Sequence, residues 1–482
     1  MSQPNVAITE LDGALGVTPE SAGRLLALVG PASSGPKNEP AAFGRVKDIT
    51  ANFEGGPLVE AAAHAIERYG RPVVLVRTEA STAGDPGTID ATGVHGTSVV
   101  TLTGVPNDDY ELVFKVIKGG TVGSAGITLQ YSLDNGRNWS PVQTAGVGTS
   151  YAIPGTGGLT LNFAAGTLLD GDTVKTRTVA PAFTSADLAT ALNALAASQI
   201  NWEIVEPVGP IDAACFDTLE LKIAAMSAAG KYRAWSGGAR MPTLGESEAT
   251  YATALSTIFG SKASLYGELA AGACKVISSV SGRKYRRPTS IVIASREAAS
   301  SEEIDIADVN LGALAGVSIR DENGNVDEHD ESLNPGLDDA RFTVLRTWAG
   351  LQGVYVNRPR IFSPAGSDFQ LMPHRRVMNL GNAALRMYFI RRLNRPILVS
   401  ATTGFILEEE ALEIEAGARK AMGAVLLAKP KASAVQFVLS RLDNLLATKT
   451  VTGDARIIPL AYPEFVTLTV GFYNPALQVQ AV

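Results

Sequence analysis

Apolar positions recur along this chain in three rhythms, and the changes of rhythm mark its organisation. Arg24 to Val29 (RLLALV) is a short apolar run, the pattern of a buried strand. It ends in a loop rich in Gly, Ser and Pro, Gly30 to Pro40. Pro57 to Tyr69 (PLVEAAAHAIERY) has helical spacing, with Pro at its start, where the missing N–H costs nothing, and Gly70 at its end. Pro72 to Arg77 (PVVLVR) is a second buried run. Strand, helix and strand in this order predict a parallel pair joined by a right-handed crossover.

The rhythm then shifts to period two. Ser81 to Pro181 is rich in Gly and Thr, and Glu111 to Ile117 (ELVFKVI), Ile127 to Leu133 (ITLQYSL) and Leu159 to Phe163 (LTLNF) alternate. Asn135-Gly136 favours a tight hairpin, because both turn positions want positive φ. The block reads as an inserted antiparallel β domain. Helical spacing returns at Ser185 to Ala197, with Thr184 or Ser185 as N-cap, and at Glu246 to Phe259. Trp202 to Val205 and Thr289 to Ala294 (TSIVIA) are apolar runs of strand length. Beyond an acidic loop, Asp321 to Asp339, come a strand at Val354 to Val356 and helices near Val377 to Leu393 and Glu408 to Leu427. One or two strands are expected near Val435 to Leu442.

Both chain ends alternate. Val6 and Ile8 do so in Asn5 to Ile8, with nothing nearby in sequence to pair with. In Glu464 to Phe472, Val466, Leu468, Val470 and Phe472 share one face. The predicted fold class is a multi-domain α/β (α+β) chain: a mixed-sheet core, an inserted antiparallel β domain, and extended arms at both ends. The expected divisions are an arm at 1–20, a core at 21–80 and 182–350, the insertion at 81–181, a C-terminal domain at 351–460 and a terminal strand at 461–482.

Composition narrows the function classes. The 482 residues suffice for two to four domains, with 45% apolar and 18% charged residues as in ordinary globular proteins. The formal net charge of −7 argues against a nucleic-acid coat, which needs a basic face. Met1 to Gly16 lack the basic start and apolar run of a signal peptide, and no apolar run is long enough to span a membrane. Cys215 and Cys274 have no CxxC spacing and read as reduced core thiols, a crosslink between subunits being the sharper alternative.

Candidate chemistry is thin. Gly30 to Lys37 (GPASSGPK) follows a strand, yet a phosphate loop ends in Gly-Lys-Ser/Thr, and here Pro36 separates Gly35 from Lys37. Gly245 to Ala249 (GESEA) resembles a nucleophile elbow with Ser247 as nucleophile, but no buried strand precedes it, and Ser247 is more simply a helix start. Asp321, Asn323, Asn325 and Asp327 alternate like calcium ligands, whereas Val326 and Ser332 stand where the helix-loop-helix site has Gly and Glu. His64, His95, His329 and His374 are scattered, and none has a His or Cys at metal-ligand spacing. No catalytic, cofactor or metal residue is therefore assigned. Arg375-Arg376 and Arg391-Arg392 with Arg395 flank a predicted helix, as a solvated face or as a patch for an acidic partner.

Several stretches resemble the tail sheath proteins of contractile bacteriophage tails and related injection systems. Leu28-Val29-Gly30 leads into Gly35-Pro36-Lys37-Asn38-Glu39-Pro40, the apolar strand, GP and N-x-P pattern common near sheath N-termini. Phe53, the helix to Tyr69 and Pro72 to Arg77 look like the first sheath strand–helix–strand unit. Pro288 to Ser295 and Ala307 to Ala313 (ADVNLGA) resemble the central sheath segment. Glu331 to Pro335 (ESLNP), Arg341 to Leu345 and Val356 to Arg358 look like the next sheath segment along the chain. Glu408 to Leu427 and Ala455 to Phe472 are similar to the C-terminal sheath domain.

The resemblance implies a structural protein without enzymatic activity or cofactor. Its subunits form stacked hexameric rings around a tail tube, meet a baseplate and a tail terminator, and contract to drive the tube through a cell envelope. It implies a place in the virion, after assembly in the bacterial host cytoplasm. Asn5, Val6, Ile8, Val466, Leu468, Val470 and Phe472 would then be inter-subunit arms that add strands to neighbouring sheets. Arg386, Arg391, Arg392 and Arg395, or Arg419 and Lys420, would touch the tube, and the insertion would face outward. The competing readings are another phage structural protein (capsid, tube or baseplate) and an α/β hydrolase using Ser247.

Overall fold

The computed structural model describes residues 25–321 and 323–472. By internal contacts the chain forms two compact units, Met1–Arg395 and Pro396–Val482. The division falls later than the boundary at 350/351 expected from the sequence.

A six-stranded sheet centres the first unit, in the order Gly267–Ala270, Ala234–Gly238, Trp202–Pro207, Leu25–Gly30, Val73–Arg77, Ala41–Phe43. The first five are parallel and the short Ala41–Phe43 is antiparallel at the edge. Leu25–Gly30 and Trp202–Pro207 are buried at every position, which explains their unbroken apolar runs. Helices cover both faces. α1 (Val46–Phe53), α2 (Pro57–Tyr69) and α6 (Thr289–Ala299) pack Phe53, Leu58 and Ile291 on one side. α3 (Ser185–Ala197), α4 (Ala213–Ala228) and α5 (Glu248–Phe259) pack Leu192, Phe216 and Leu255 on the other. Cys215 and Cys274 are free and buried.

The helix starts obey local chemistry. Thr184 and Asp187 form a capping box at α3, Asp212 caps α4 and Ser247 caps α5. The run Thr289 to Ala294, expected as a strand, is the start of α6. Its periodicity is hidden because both sides are buried: Ile291 and Ala294 join one apolar cluster, Val292 and Ile293 another.

Residues 81–181 form antiparallel sheets around their own apolar cluster, which includes Phe114, Leu129, Leu161 and Phe163. Asn135 and Gly136 take positive φ, 58° and 85°, but the turn belongs to a longer loop. Strand Thr128–Ser132 next pairs with Gln143–Thr144, while Asp134 accepts from Asn138 N and Ser132 Oγ. Tyr285 of the body joins the insertion's cluster and packs edge-on against Tyr110.

α7 (Met372–Ile390) begins five residues before the expected helix, with Pro373 in its first turn. The second unit holds α8 (Glu408–Leu426) against a two-stranded sheet, Ala432–Leu439 with Gly453–Pro459, so the strand expected near Val435 to Leu442 starts earlier.

Candidate assembly interface

An open parallel sheet binds ligands where its strand order reverses, beyond the carboxyl ends of the strands. Here that point lies between Leu25–Gly30 and Trp202–Pro207, and it is filled. Val208 N donates to Val29 O at 2.7 Å, and a Cβ on Gly30 would stand 2.7 Å from Val208 O. The loop after Gly30 is tied down by Arg77, which donates to Ala32 O (2.9 Å) and Gly35 O (2.6 Å). Lys37 pairs with Glu79, and Leu58 N, at the start of α2, donates to Pro31 O. A phosphate would find both the lysine and this amide engaged. The nearby cavity encloses about 80 Å³ beside Arg240 and Arg287, far below nucleotide size. Each arginine is already bidentate, to Glu246 and Asp108 respectively.

Among the described residues no base is hydrogen-bonded to Ser247. Its hydroxyl accepts from Thr250 N at the start of α5. His329 lies close in the fold, with Nδ1 2.8 Å from Glu248 and Nε2 2.8 Å from Glu331. Burial opposes its charge, but the hydrogen bonds to Glu248 and Glu331 and their negative charges hold its pKa up at about 9. A protonated imidazole between two carboxylates cannot take a proton from serine.

The acidic loop is only partly solvated. Asp321 accepts from Asn323 N and Asn325 N, both at 2.8 Å, which closes a turn. Glu328, His329, Asp330 and Glu331 are buried. Carboxylate oxygens of Glu111, Asp327 and Glu328 lie within 4.8 Å of one another. Four bases serve them: Lys275 pairs with Asp327, Arg286 with Glu328, Arg137 with Glu111, and Arg177 with all three. The cluster is an ion-pair junction between the insertion and the body. Arg287 and Asp108 form a second one, with two contacts of 2.8 Å.

Arg375 and Arg376, expected on a solvated or partner-facing patch, are buried inside α7's first turns. Arg376 reaches Glu203 at 2.9 Å and Glu297 at 3.0 Å; Arg375 holds Asn379 and stacks on Tyr266 and Phe369. Basic spacing alone could not distinguish this from a surface patch, because Glu203 and Glu297 lie on remote elements. Arg386, Arg391 and Arg395 are exposed, and Arg392 stacks on Tyr388. Arg419 and Lys420 are exposed on α8.

The remaining candidate is the C-terminal chain. Glu415 of α8 accepts from Leu439 N at 2.8 Å, and Arg441 joins Glu408 to Glu415. Phe437 and Leu439 are buried against α8, whereas Val438 and Ile458 on the other face are 61% and 47% exposed. Strand Gly453–Pro459 is exposed along nearly its whole length. A two-stranded sheet has two unfilled edges and little independent stability. The segment expected as a closing strand, Glu464 to Phe472, forms no strand among the described residues. Its shared face is bare: Val466 is 71% exposed, Leu468 79% and Val470 91%, with Phe472 fully open. Asn5, Val6 and Ile8 lie outside the described residues. Sequence reasoning did not anticipate the exposed face of the hairpin, for which the apolar pair Ile457-Ile458 is a signal.

Solved structures share this fold. The sheath complex of an extracellular contractile injection system, PVC, in its contracted state is 11% identical with a TM-score of 0.52, covering 99% of each chain. A chain of the sixfold-symmetrised baseplate of the anti-feeding prophage is 11% identical with a TM-score of 0.51, over 98% of this chain and 100% of its own. The helical sheath of that prophage, also contracted, is 12% identical with a TM-score of 0.50, over 98% and 99%. The likeness to tail sheath proteins read from the sequence therefore holds at the level of fold. No curated protein matches the chain significantly. The family model described as DUF2586, N-terminal domain, matches residues 3–360, most of the chain, and the protein belongs to that family.

Proposed function

We propose that the protein is the sheath subunit of a contractile tail or injection particle, a mechanical polymer without enzymatic activity. Subunits stack as hexameric rings around a tail tube, and the lattice shortens from a metastable extended form to a compact one, driving the tube through an envelope. Partners are other copies, the tube, the baseplate and the terminator, and the protein resides in the tail of a virion or phage-like particle assembled in a bacterial cytoplasm. In a phage, contraction would lead to genome ejection.

One observation carries the reading: a terminal segment with a bare apolar face, Val466 to Phe472, in a chain whose C-terminal hairpin has open edges. Such an edge is completed when a strand from another chain joins it. Val466, Leu468, Val470 and Phe472 supply one such strand, and Asn5, Val6 and Ile8 another. Exposed Arg386, Arg391, Arg395, Arg419 and Lys420, with Arg392, suit an acidic tube wall. The insertion, braced by its ion pairs, faces outward.

Deleting residues 462–482, or separately 1–16, tests this. Each truncated chain should remain a folded monomer by circular dichroism and fail to form long ordered tubes by negative-stain microscopy. Normal tubes from both truncations would defeat the proposal.

A further inference from the structure

On the body, far in sequence from the hairpin, an open groove of about 640 Å³ runs between the loop at Ser332-Leu333 and the loop from Arg346 to Gly353. Its apolar lining is exposed: Leu333 57%, Trp348 40% and Leu351 47%. Arg346 stacks its guanidinium on Trp348, 3.6 Å from the ring centroid, and donates to Asn357 Oδ1 at 3.0 Å. Its Nε is buried without a hydrogen-bond partner. Arg320 also lines the groove, and its guanidinium donates to Gly324 O at 2.9 Å. Among the described residues no carboxylate pairs with either arginine. Tryptophan, arginine and leucine around a concave surface, with two arginines that no described carboxylate pairs, is the composition of a binding hot spot for an acidic, apolar segment.

The two chain ends differ in how well they fit. Residues 461–482 carry a single acid, Glu464, and no base. Residues 1–23 carry Glu10, Asp12 and Glu20 and no Lys or Arg, with Leu11 between the first two acids. In an extended chain, residues 10 and 12 project to one side and Leu11 to the other. Two carboxylates so close in sequence suit the charge of the two arginines, and Leu11 suits the apolar lining.

We propose that this groove receives the N-terminal segment of a neighbouring copy around Glu10-Leu11-Asp12. The inference rests on the assembly reading above and adds a second anchor, outside the hairpin, for the N-terminal arm. Salt would weaken this anchor more than strand addition, since it relies on partly exposed charge.

The full-length chain tests it. Tubes are assembled from equal amounts of ¹⁵N-labelled and unlabelled protein carrying p-benzoylphenylalanine in place of Leu11, and photo-adducts are mapped by mass spectrometry. The expected adduct joins residue 11 to residues 346–353 in mixed-isotope pairs. Its yield should fall about fivefold to tenfold with Glu10→Gln and Asp12→Asn, and equally with Arg320→Gln and Arg346→Gln, the fall expected for about 1–1.4 kcal/mol. Reversing both sides together (Glu10→Arg and Asp12→Arg with Arg320→Glu and Arg346→Glu) should restore it. Adducts only within one copy overturn the proposal. So do adducts confined to residues 432–459, which would leave the assembly reading standing. Tubes that form without any adduct at the groove overturn it as well, whereas a full-length chain that never polymerises would strike the assembly reading itself.

Discussion

The parallel-sheet body and the C-terminal hairpin handle their backbone groups in opposite ways. In the body, strand Leu25–Gly30 is flanked on both sides by parallel partners and buried throughout. At the sheet's edge, strand Gly267–Ala270 is bridged to Thr343 and Ile361. In the second unit, strand Gly453–Pro459 has one partner and almost no cover, and residues 465–472 beyond it are exposed. The body's central sheet is satisfied within one chain, whereas the hairpin keeps its edges open among the described residues. A chain built this way separates stability from association, so single substitutions should move one and spare the other.

The largest expected effect lies in the body. Arg376→Met removes the cation from a buried cluster and leaves Glu203 and Glu297 without it. Breaking a buried pair in this way costs about 3–5 kcal/mol, read as a fall in unfolding free energy in urea. Ile458→Asp, on the exposed face of the hairpin, should change monomer stability by less than about 0.5 kcal/mol while abolishing tubes in the microscope. A large loss of monomer stability from Ile458→Asp, or tubes that form regardless of it, would break the contrast.

A second contrast concerns pH. Glu206 is fully buried. Burial pushes its pKa up to about 8, against the pull of the Ser290 hydroxyl and with the charge of Glu268 adding to the rise. A raised pKa means the folded state holds a proton that the unfolded state loses from about pH 4.5 upward. The stability it contributes is full below pH 4.5 and is lost as pH rises through 8, by at most about 1.4 kcal/mol per pH unit. His329, also raised, loses its contribution between pH 6.5 and about 9. In the hairpin unit the sign reverses: the hydrogen bond from Arg441 holds Glu415 below its usual range despite burial, so that contribution is present above pH 4.5 and lost in acid. Hydrogen exchange, corrected for intrinsic rates, should therefore show residues 202–207 loosening toward pH 9 and residues 432–439 loosening toward pH 4. Glu206→Gln should flatten the first trend and leave the second. Parallel trends in the two units would refute this.

What could be read from the sequence divides along the same line. Leu25–Gly30, Val73–Arg77 and α2 were legible because an apolar run or a 3.6-residue period carries its own partner rule, and the cap at Ser247 because a serine before a helical stretch acts locally. α6 was misread because a helix buried on two sides has no polar face to set its period. Arg375 and Arg376 were misread because their surroundings come from distant elements. The alternation of Val466 to Phe472 was legible as a strand pattern, but a strand exists only with a partner, and the described chain offers none.

The smallest expected effect concerns a site whose composition imitates a metal centre. Three carboxylates, from Glu111, Asp327 and Glu328, converge as ligands for a divalent ion would. What decides the matter is the charge around them. Lys275, which is wholly buried, already neutralises Asp327, Arg286 and Arg177 meet Glu328, and Arg137 and Arg177 meet Glu111. A divalent cation entering this cluster would meet four positive charges for three negative ones, and it would have to displace hydrogen-bonded bases to reach an oxygen. Chelation with EDTA, or addition of millimolar calcium, should therefore shift the monomer's Tm by less than about 1 °C, since a ligand that binds the folded state stabilises it and one that does not cannot. A clear rise with calcium that Glu328→Gln removes would turn this junction from an electrostatic brace into a metal site, and would move the insertion from the closed part of the molecule to the part completed from outside.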